Sequence, residues 1–143
     1  MDCKYCAAPE PGAPAGLLEL ASWPASRIYL LPDARHPGRC VVASRVHVRE
    51  LHDFDSAARQ RFIDDVARLA KAVQQTLTAD KINIGLFGDL TPHLHAHVVP
   101  KFAQGADWGA SFALVGEPAT DPAGTERIEA AFAALQIALA PAA

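Results

Sequence analysis

Between residues 62 and 77 apolar side chains recur at spacings of four, three, four and four (Phe62, Val66, Leu69, Val73, Leu77). That period puts them on one face of an α-helix. Asp55 or Ser56 can accept the free amide hydrogens at its start, and Thr78, Ala79 and Asp80 provide an exit. Arg59, Arg61, Asp64, Asp65, Arg68 and Lys71 fill the other faces, as on a helix that packs by one side against a sheet. Upstream the period is different. Residues 27–31 (RIYLL) and 39–43 (RCVVA) are rich in β-formers and flank the turn-prone PDARHPG of 32–38, which predicts a hairpin; 17–20 predicts a short strand before it. Residues 7–16, with three prolines and two glycines, read as a surface connector.

Beyond the long helix, 82–87 (INIGLF) alternates as a strand, 88–92 (GDLTP) turns, and 93–100 (HLHAHVVP) reads as its antiparallel partner. A polar loop with Trp108 follows Lys101. A last helix over 124–140 is signalled by Asp121-Pro122 as cap and first turn and by Ile128, Phe132, Leu135 and Leu139 on one side. Strands and helices in the order ββ-α-ββ-α, joined by hairpins, predict an α+β fold: an antiparallel sheet carrying its helices on one face.

Composition narrows the function classes. The chain has 143 residues, half of them hydrophobic and a fifth charged, as one folded domain spanning 1–143 would have. Thirteen basic against sixteen acidic residues argue against sequence-independent nucleic-acid binding, so an anionic ligand must be met by local positive charge. No apolar stretch approaches a membrane span, and the first residues lack the basic and apolar regions of a secretory signal. Three cysteines (Cys3, Cys6, Cys40) suit a reducing compartment, and a cytoplasmic location is expected.

Half the histidines of the chain, three of six, stand at 93, 95 and 97. On a strand all three project from one face while Leu94, Ala96 and Val98 point into the core, so the imidazole face is expected to look into water or a cleft. One metal ion cannot take all three from a straight strand, whose first and last backbones would lie about 13 Å apart. Two neighbours could share a metal with a residue from elsewhere, or the row could be a solvated sheet face. The third reading is acid–base or nucleophilic work near neutral pH, in which a central imidazole attacks phosphorus and its neighbours donate hydrogen bonds to oxygens.

The run HLHAHVV, residues 93–99, resembles the His-x-His-x-His signature of the histidine-triad nucleotide hydrolases and transferases. The order along the chain is similar too: a Cys-x-x-Cys start, the hairpin, His47, the long helix, Asn83, a Gly-containing turn, and Pro100 followed by a basic residue. The likeness covers about 2–108 and leaves the last helix outside it. It implies a sheet of about five antiparallel strands with the long helix packed on it, to which the pattern of the chain itself adds the C-terminal helix.

The resemblance further implies that His95 is the nucleophile and forms a nucleotidyl-histidine at the α-phosphorus. His97 would contact the phosphate or scissile oxygens, and His93 would orient His95 through its backbone carbonyl. Asn83 falls near a phosphate-side polar position. Substrates would be purine nucleotides such as nucleoside phosphoramidates or dinucleoside polyphosphates, and the protein a homodimer whose two sheets join. No cofactor is required for this chemistry. In zinc-containing members a pair like Cys3 and Cys6 is completed by residues placed like His47 and His93, which gives a structural zinc set; the alternative is two surface thiols near a mobile terminus.

Departures from the pattern open a second reading, a catalytically weak nucleotide-binding or protein-interaction module of the same fold. Asp89 and Leu90 stand where a Gln and a hydroxyl residue are common, and a carboxylate there would repel phosphate unless it caps the turn. Thr91 could supply the hydroxyl. Leu31 replaces a polar residue near the ribose site, leaving Asp33 either to bind ribose hydroxyls or to form its turn. Lys101 reads as a solvated strand end, His36 and His52 as exposed loop positions, Cys40 as a small core residue, and Trp23 and Trp108 as packing residues.

Overall fold

The computed structural model describes residues 2–142. Five strands, β1 (Leu18–Ser22), β2 (Ser26–Leu30), β3 (Cys40–Ser44), β4 (Lys81–Gly85) and β5 (His95–Lys101), form one antiparallel sheet in the order β1-β2-β3-β5-β4. Helix α1 (Ser56–Leu77) joins β3 to β4, and α2 (Pro122–Ala138) follows the sheet. The α+β architecture is the expected one.

Local chemistry explains where the helices begin. The Asp55 carboxylate accepts from the Ala58 N–H at 2.8 Å and caps α1; Asp121 accepts from the Gly124 N–H at 2.7 Å and Pro122 opens α2. Phe62, Val66, Leu69 and Val73 bury the apolar stripe of α1 against Ile28, Leu30, Cys40, Val42, Ala96 and Val98, and Ile128 and Leu135 of α2 complete this core. Trp23 joins it, with the Arg68 guanidinium 4.0 Å above its ring.

The opposite face of the sheet is not open. Tyr5 and Leu17 from the N-terminal segment cover Tyr29, Val41 and Ala43. That segment is more than a connector: the Arg27 guanidinium donates to the carbonyls of Ala8, Pro9 and Gly12, fastening it to the sheet. The three imidazoles, expected to look into water or a cleft, lie beneath this cover and the loop around Phe112, each less than a tenth exposed.

Other expectations need correction. Lys101 is 3% exposed, and its ammonium donates to Asn83 Oδ1 at 3.1 Å and to the Ala110 carbonyl at 2.7 Å. His36 is buried and donates from Nε2 to Asp107 at 2.8 Å, beside the Arg35–Asp107 ion pair. Trp108 is half exposed and packs into no core. His93 precedes β5, because its N–H turns back to the Thr91 carbonyl at 2.8 Å, outside the ladder.

Candidate functional site

Register assembles the site. On the face away from the helices, β5 pairs with β3 so that His95 lies opposite Ala43 and His97 opposite Val41. Gly85 of β4 is the other partner of His97. A methyl group at Gly85 would come within 2.6 Å of Phe87 and 2.9 Å of Phe112, so its missing side chain admits the two aromatic rings that flank His97. His95 sits under Tyr5, ring centroids 5.0 Å apart.

Each triad ring has its own partner. His95 Nδ1 donates to the His93 carbonyl at 2.6 Å, leaving Nε2 as a bare lone pair. Burial pushes its imidazolium pKa down, against that hydrogen bond, and the nearby Lys4 and His93 push it further, so the ring is held in the neutral, nucleophilic form. His97 Nδ1 lies 3.1 Å from Nη2 of Arg39. Burial first and Arg39 second hold its pKa down to about 3.

His95 and His97 form part of the wall of a cavity of about 260 Å³, together with Lys4, Tyr5, Leu31 and Thr91. Apolar side chains such as Leu17 and Val115 complete the wall, so it joins apolar surface to two imidazoles and one lysine. A planar base and an anionic phosphate have matching needs.

The remaining sequence candidates divide. Thr91 reaches this cavity. Asp89 is exposed in the preceding turn and does not line it. Asn83 holds Lys101 and lines a separate cavity with Trp108 and Ser111. Asp33 is 2% exposed; its carboxylate accepts from Arg39 at 3.0 Å and from the backbone N–H groups of Arg35 and Glu117, so the turn and the ion pair occupy it and no ribose contact is left to it. Sequence reasoning missed Lys4, Tyr5 and above all Arg39. The signal for Arg39 was its parity with Val41 and Ala43, which places it on the histidine face once β3 is extended by one residue.

His93 serves elsewhere. Its Nε2 donates to the Ser44 carbonyl at 2.7 Å, which turns a bare Nδ1 toward Cys3 Sγ (3.3 Å), Cys6 Sγ (3.6 Å) and His47 Nδ1 (3.0 Å); Cys6 Sγ is 3.3 Å from His47 Nδ1. All four donor atoms lie within 4.8 Å of one another. A tetrahedral zinc with bonds of about 2.3 Å to sulfur and 2.0 Å to nitrogen separates its ligand atoms by about 3.3–3.8 Å. The set fits such an ion in number and type, with four of its donor pairs at 3.0–3.6 Å, and the Ser44 carbonyl would be the outer partner that fixes His93 as a ligand.

A HIT domain family model matches residues 23–104, more than half of the chain. No curated protein matches. Among solved structures, the chain is similar to a histidine triad protein from Bradyrhizobium japonicum, with 24% identity, 87% of this chain and 91% of that one covered, and a TM-score of 0.74. A histidine triad protein from Marinobacter aquaeolei gives 22% identity, 87% and 90% coverage, and 0.74. A zinc-bound histidine triad family protein from Mycobacterium smegmatis gives 24% identity, 98% and 94% coverage, and 0.70.

Proposed function

The chain belongs to the HIT domain family, and from that premise we propose that it is a nucleotide hydrolase or nucleotidyl transferase acting through a nucleotidyl-histidine on His95. The observation that carries this is the 2.6 Å hydrogen bond from His95 Nδ1 to the His93 carbonyl, on a ring that lines the cavity. That bond fixes the tautomer, so the lone pair belongs to Nε2 and is available to phosphorus without prior deprotonation. The base lies on the apolar wall of Leu17, Leu31 and Val115; Lys4 and Thr91 meet the phosphates. His97, on the same wall, contacts phosphate oxygens. The bond cleaved is a phosphoanhydride or phosphoramidate at the α-phosphorus.

Cys3, Cys6, His47 and His93 hold a structural zinc in this reading. With four protein ligands it supplies a fixed cross-link and no open position. His93 as a ligand is no acid or base; its work on His95 goes through its carbonyl. A homodimer would extend the sheet at edge strand β4, a reading supported by the exposed apolar residues Ile84, Leu86 and Phe87 on and just beyond it. No helix among the described residues is long and apolar enough to cross a membrane, and three cysteines outside any disulfide fit a reducing cytoplasm.

The test is incubation with a dinucleoside polyphosphate and, separately, a nucleoside phosphoramidate, with rapid quenching and mass analysis. A nucleotidyl adduct on His95 is expected. Normal turnover by His95→Ala would overturn the mechanism.

A further inference from the structure

His95 and His97 are neighbours on one face of β5, ring centroids 5.3 Å apart, yet their Nδ1 atoms meet opposite partners. That of His95 faces a carbonyl oxygen, which can only accept. That of His97 faces a guanidinium, which can only donate. The first ring therefore carries its proton on Nδ1 and offers a bare Nε2. The second has a bare Nδ1 and carries its proton on Nε2.

Arg39 is fixed in this orientation. It is 0% exposed; Nη1 donates to Asp33 at 3.0 Å and to the Ala113 carbonyl at 2.8 Å, and Nη2 also donates to the Leu114 carbonyl at 2.8 Å. The guanidinium lies 4.9 Å from the Phe112 ring centroid. A second proton on His97 would sit on Nδ1, against this cation. The other charged or titratable neighbours of the ring, His95 on its own strand and Lys4 from the N-terminal segment, oppose that proton as well.

We propose that Arg39 locks His97 as a neutral hydrogen-bond donor with no proton to give, so that the site is built for phosphoanhydrides and handles phosphoramidates poorly. This rests on the nucleotidyl-transfer reading above and narrows its substrate class. In the first step a bond forms between His95 Nε2 and the α-phosphorus, the bond from phosphorus to the bridging oxygen breaks, and the electron pair leaves with the departing phosphate. His97 Nε2–H stabilises an oxygen throughout and keeps its proton, as a neutral imidazole can. In the second step a water oxygen bonds to phosphorus, the phosphorus–nitrogen bond breaks, the pair returns to Nε2, and the proton of water goes to solvent. A phosphate departs as a stable anion. The amine of a phosphoramidate needs a proton on nitrogen before it can leave, and the ring nearest to it has none to transfer.

The experiment compares kcat/KM for a dinucleoside polyphosphate and for a phosphoramidate of the same nucleoside. For the wild type the anhydride is expected to be preferred by about 100-fold, the lower range of what a missing general acid costs. Arg39→Gln takes away the cation that faces His97 Nδ1 and leaves the burial of the ring in place, so its phosphoramidate rate should rise as pH falls from 7 to 5.5, and the preference should shrink several-fold, by up to about tenfold. Arg39→Lys, which keeps a cationic donor, should keep the preference. Nitrogen NMR of the wild-type imidazoles reads the tautomer directly and needs no variant to fold: His97 should show a protonated Nε2 and a bare Nδ1 from pH 8 to 5. Equal turnover of both substrates with the His95 adduct formed overturns the proposal and leaves nucleotidyl transfer standing. Neither turnover nor adduct with either substrate overturns both. A proton on His97 Nδ1 overturns the tautomer assignment and the proposal with it.

Discussion

The two faces of the sheet are built by different rules. On the helix face, Leu69, Val73, Val42 and Val98 are fully buried among one another and fill space with apolar groups of exchangeable chemistry. On the other face, buried His93, His95, His97 and Arg39 each meet a designated partner: the Ser44 carbonyl, the His93 carbonyl, the Arg39 guanidinium and the Asp33 carboxylate. Apolar packing tolerates substitution of like volume, whereas a buried polar group left without its partner costs about 1–3 kcal/mol and more if charged. Apolar packing therefore concentrates on one side and partnered polar groups on the other, and if the proposed chemistry is carried by the second, substitutions should separate loss of core packing from loss of turnover.

The sharpest break is at His95. His95→Ala should lower turnover by about 10⁴-fold or more, the scale seen when a nucleophile is removed. Its unfolding free energy should fall by no more than about 1–3 kcal/mol, the cost of leaving the buried His93 carbonyl without its partner. Retained turnover would show that this face does not carry the chemistry.

Next in size is the mirror experiment. Leu69→Ala, in the centre of the helix face, should cost about 2–5 kcal/mol of unfolding free energy because the void cannot collapse. Its kcat, measured where the protein remains folded, should be unchanged. A large loss of kcat would mean that the faces are mechanically coupled through β5.

The cysteines test the same division with one residue type. Cys6→Ala removes a ligand from the metal set, so zinc content measured by atomic absorption should fall, the thermal midpoint should drop, and turnover should fall by about 10–100-fold as the His93 carbonyl loses its anchor. Cys40→Ala, whose thiol is buried on the helix face and donates to the Gly38 carbonyl at 3.2 Å, should change neither zinc nor turnover. Equal zinc in wild type and Cys6→Ala would remove the metal from the account.

Much of the helix face was legible in the chain, because local periods encode it: the spacing of Phe62, Val66, Leu69 and Val73 gives α1, and Ala96 and Val98 give the inner side of β5. The alternation of His93, His95 and His97 likewise marked the chemical row, and the partners of Cys3 and Cys6 came from the family pattern. The cover over that row left no such trace. Tyr5 reaches His95 across 90 positions, Arg39 reaches Leu114 across 75, and His36 meets Asp107 across 71, and no local period records contacts of that kind. For the same reason Lys101 looked like a solvated strand end, although the Ala110 carbonyl folds back to receive it.

The smallest effect is a pH dependence confined to the polar face. Burial, with Arg39 second, lowers the His97 pKa from the ordinary 6.5 to about 3 in the folded protein. Between those values the unfolded chain binds the proton and the folded one does not, so stability is fully present above pH 6.5 and declines as pH falls toward 3. The slope is on the order of 1 kcal/mol for each pH unit crossed. Comparing unfolding free energies of wild type and His97→Gln at pH 7.5, 6.5 and 5.5 isolates this group, because the other titrating side chains are common to both proteins and largely cancel. The wild type should lose stability relative to the variant as pH falls. A constant difference would mean that His97 is protonated in the folded state near its ordinary pKa, and Arg39 would then be facing a second cation at 3.1 Å, a contact that the Asp33 carboxylate alone would have to neutralise.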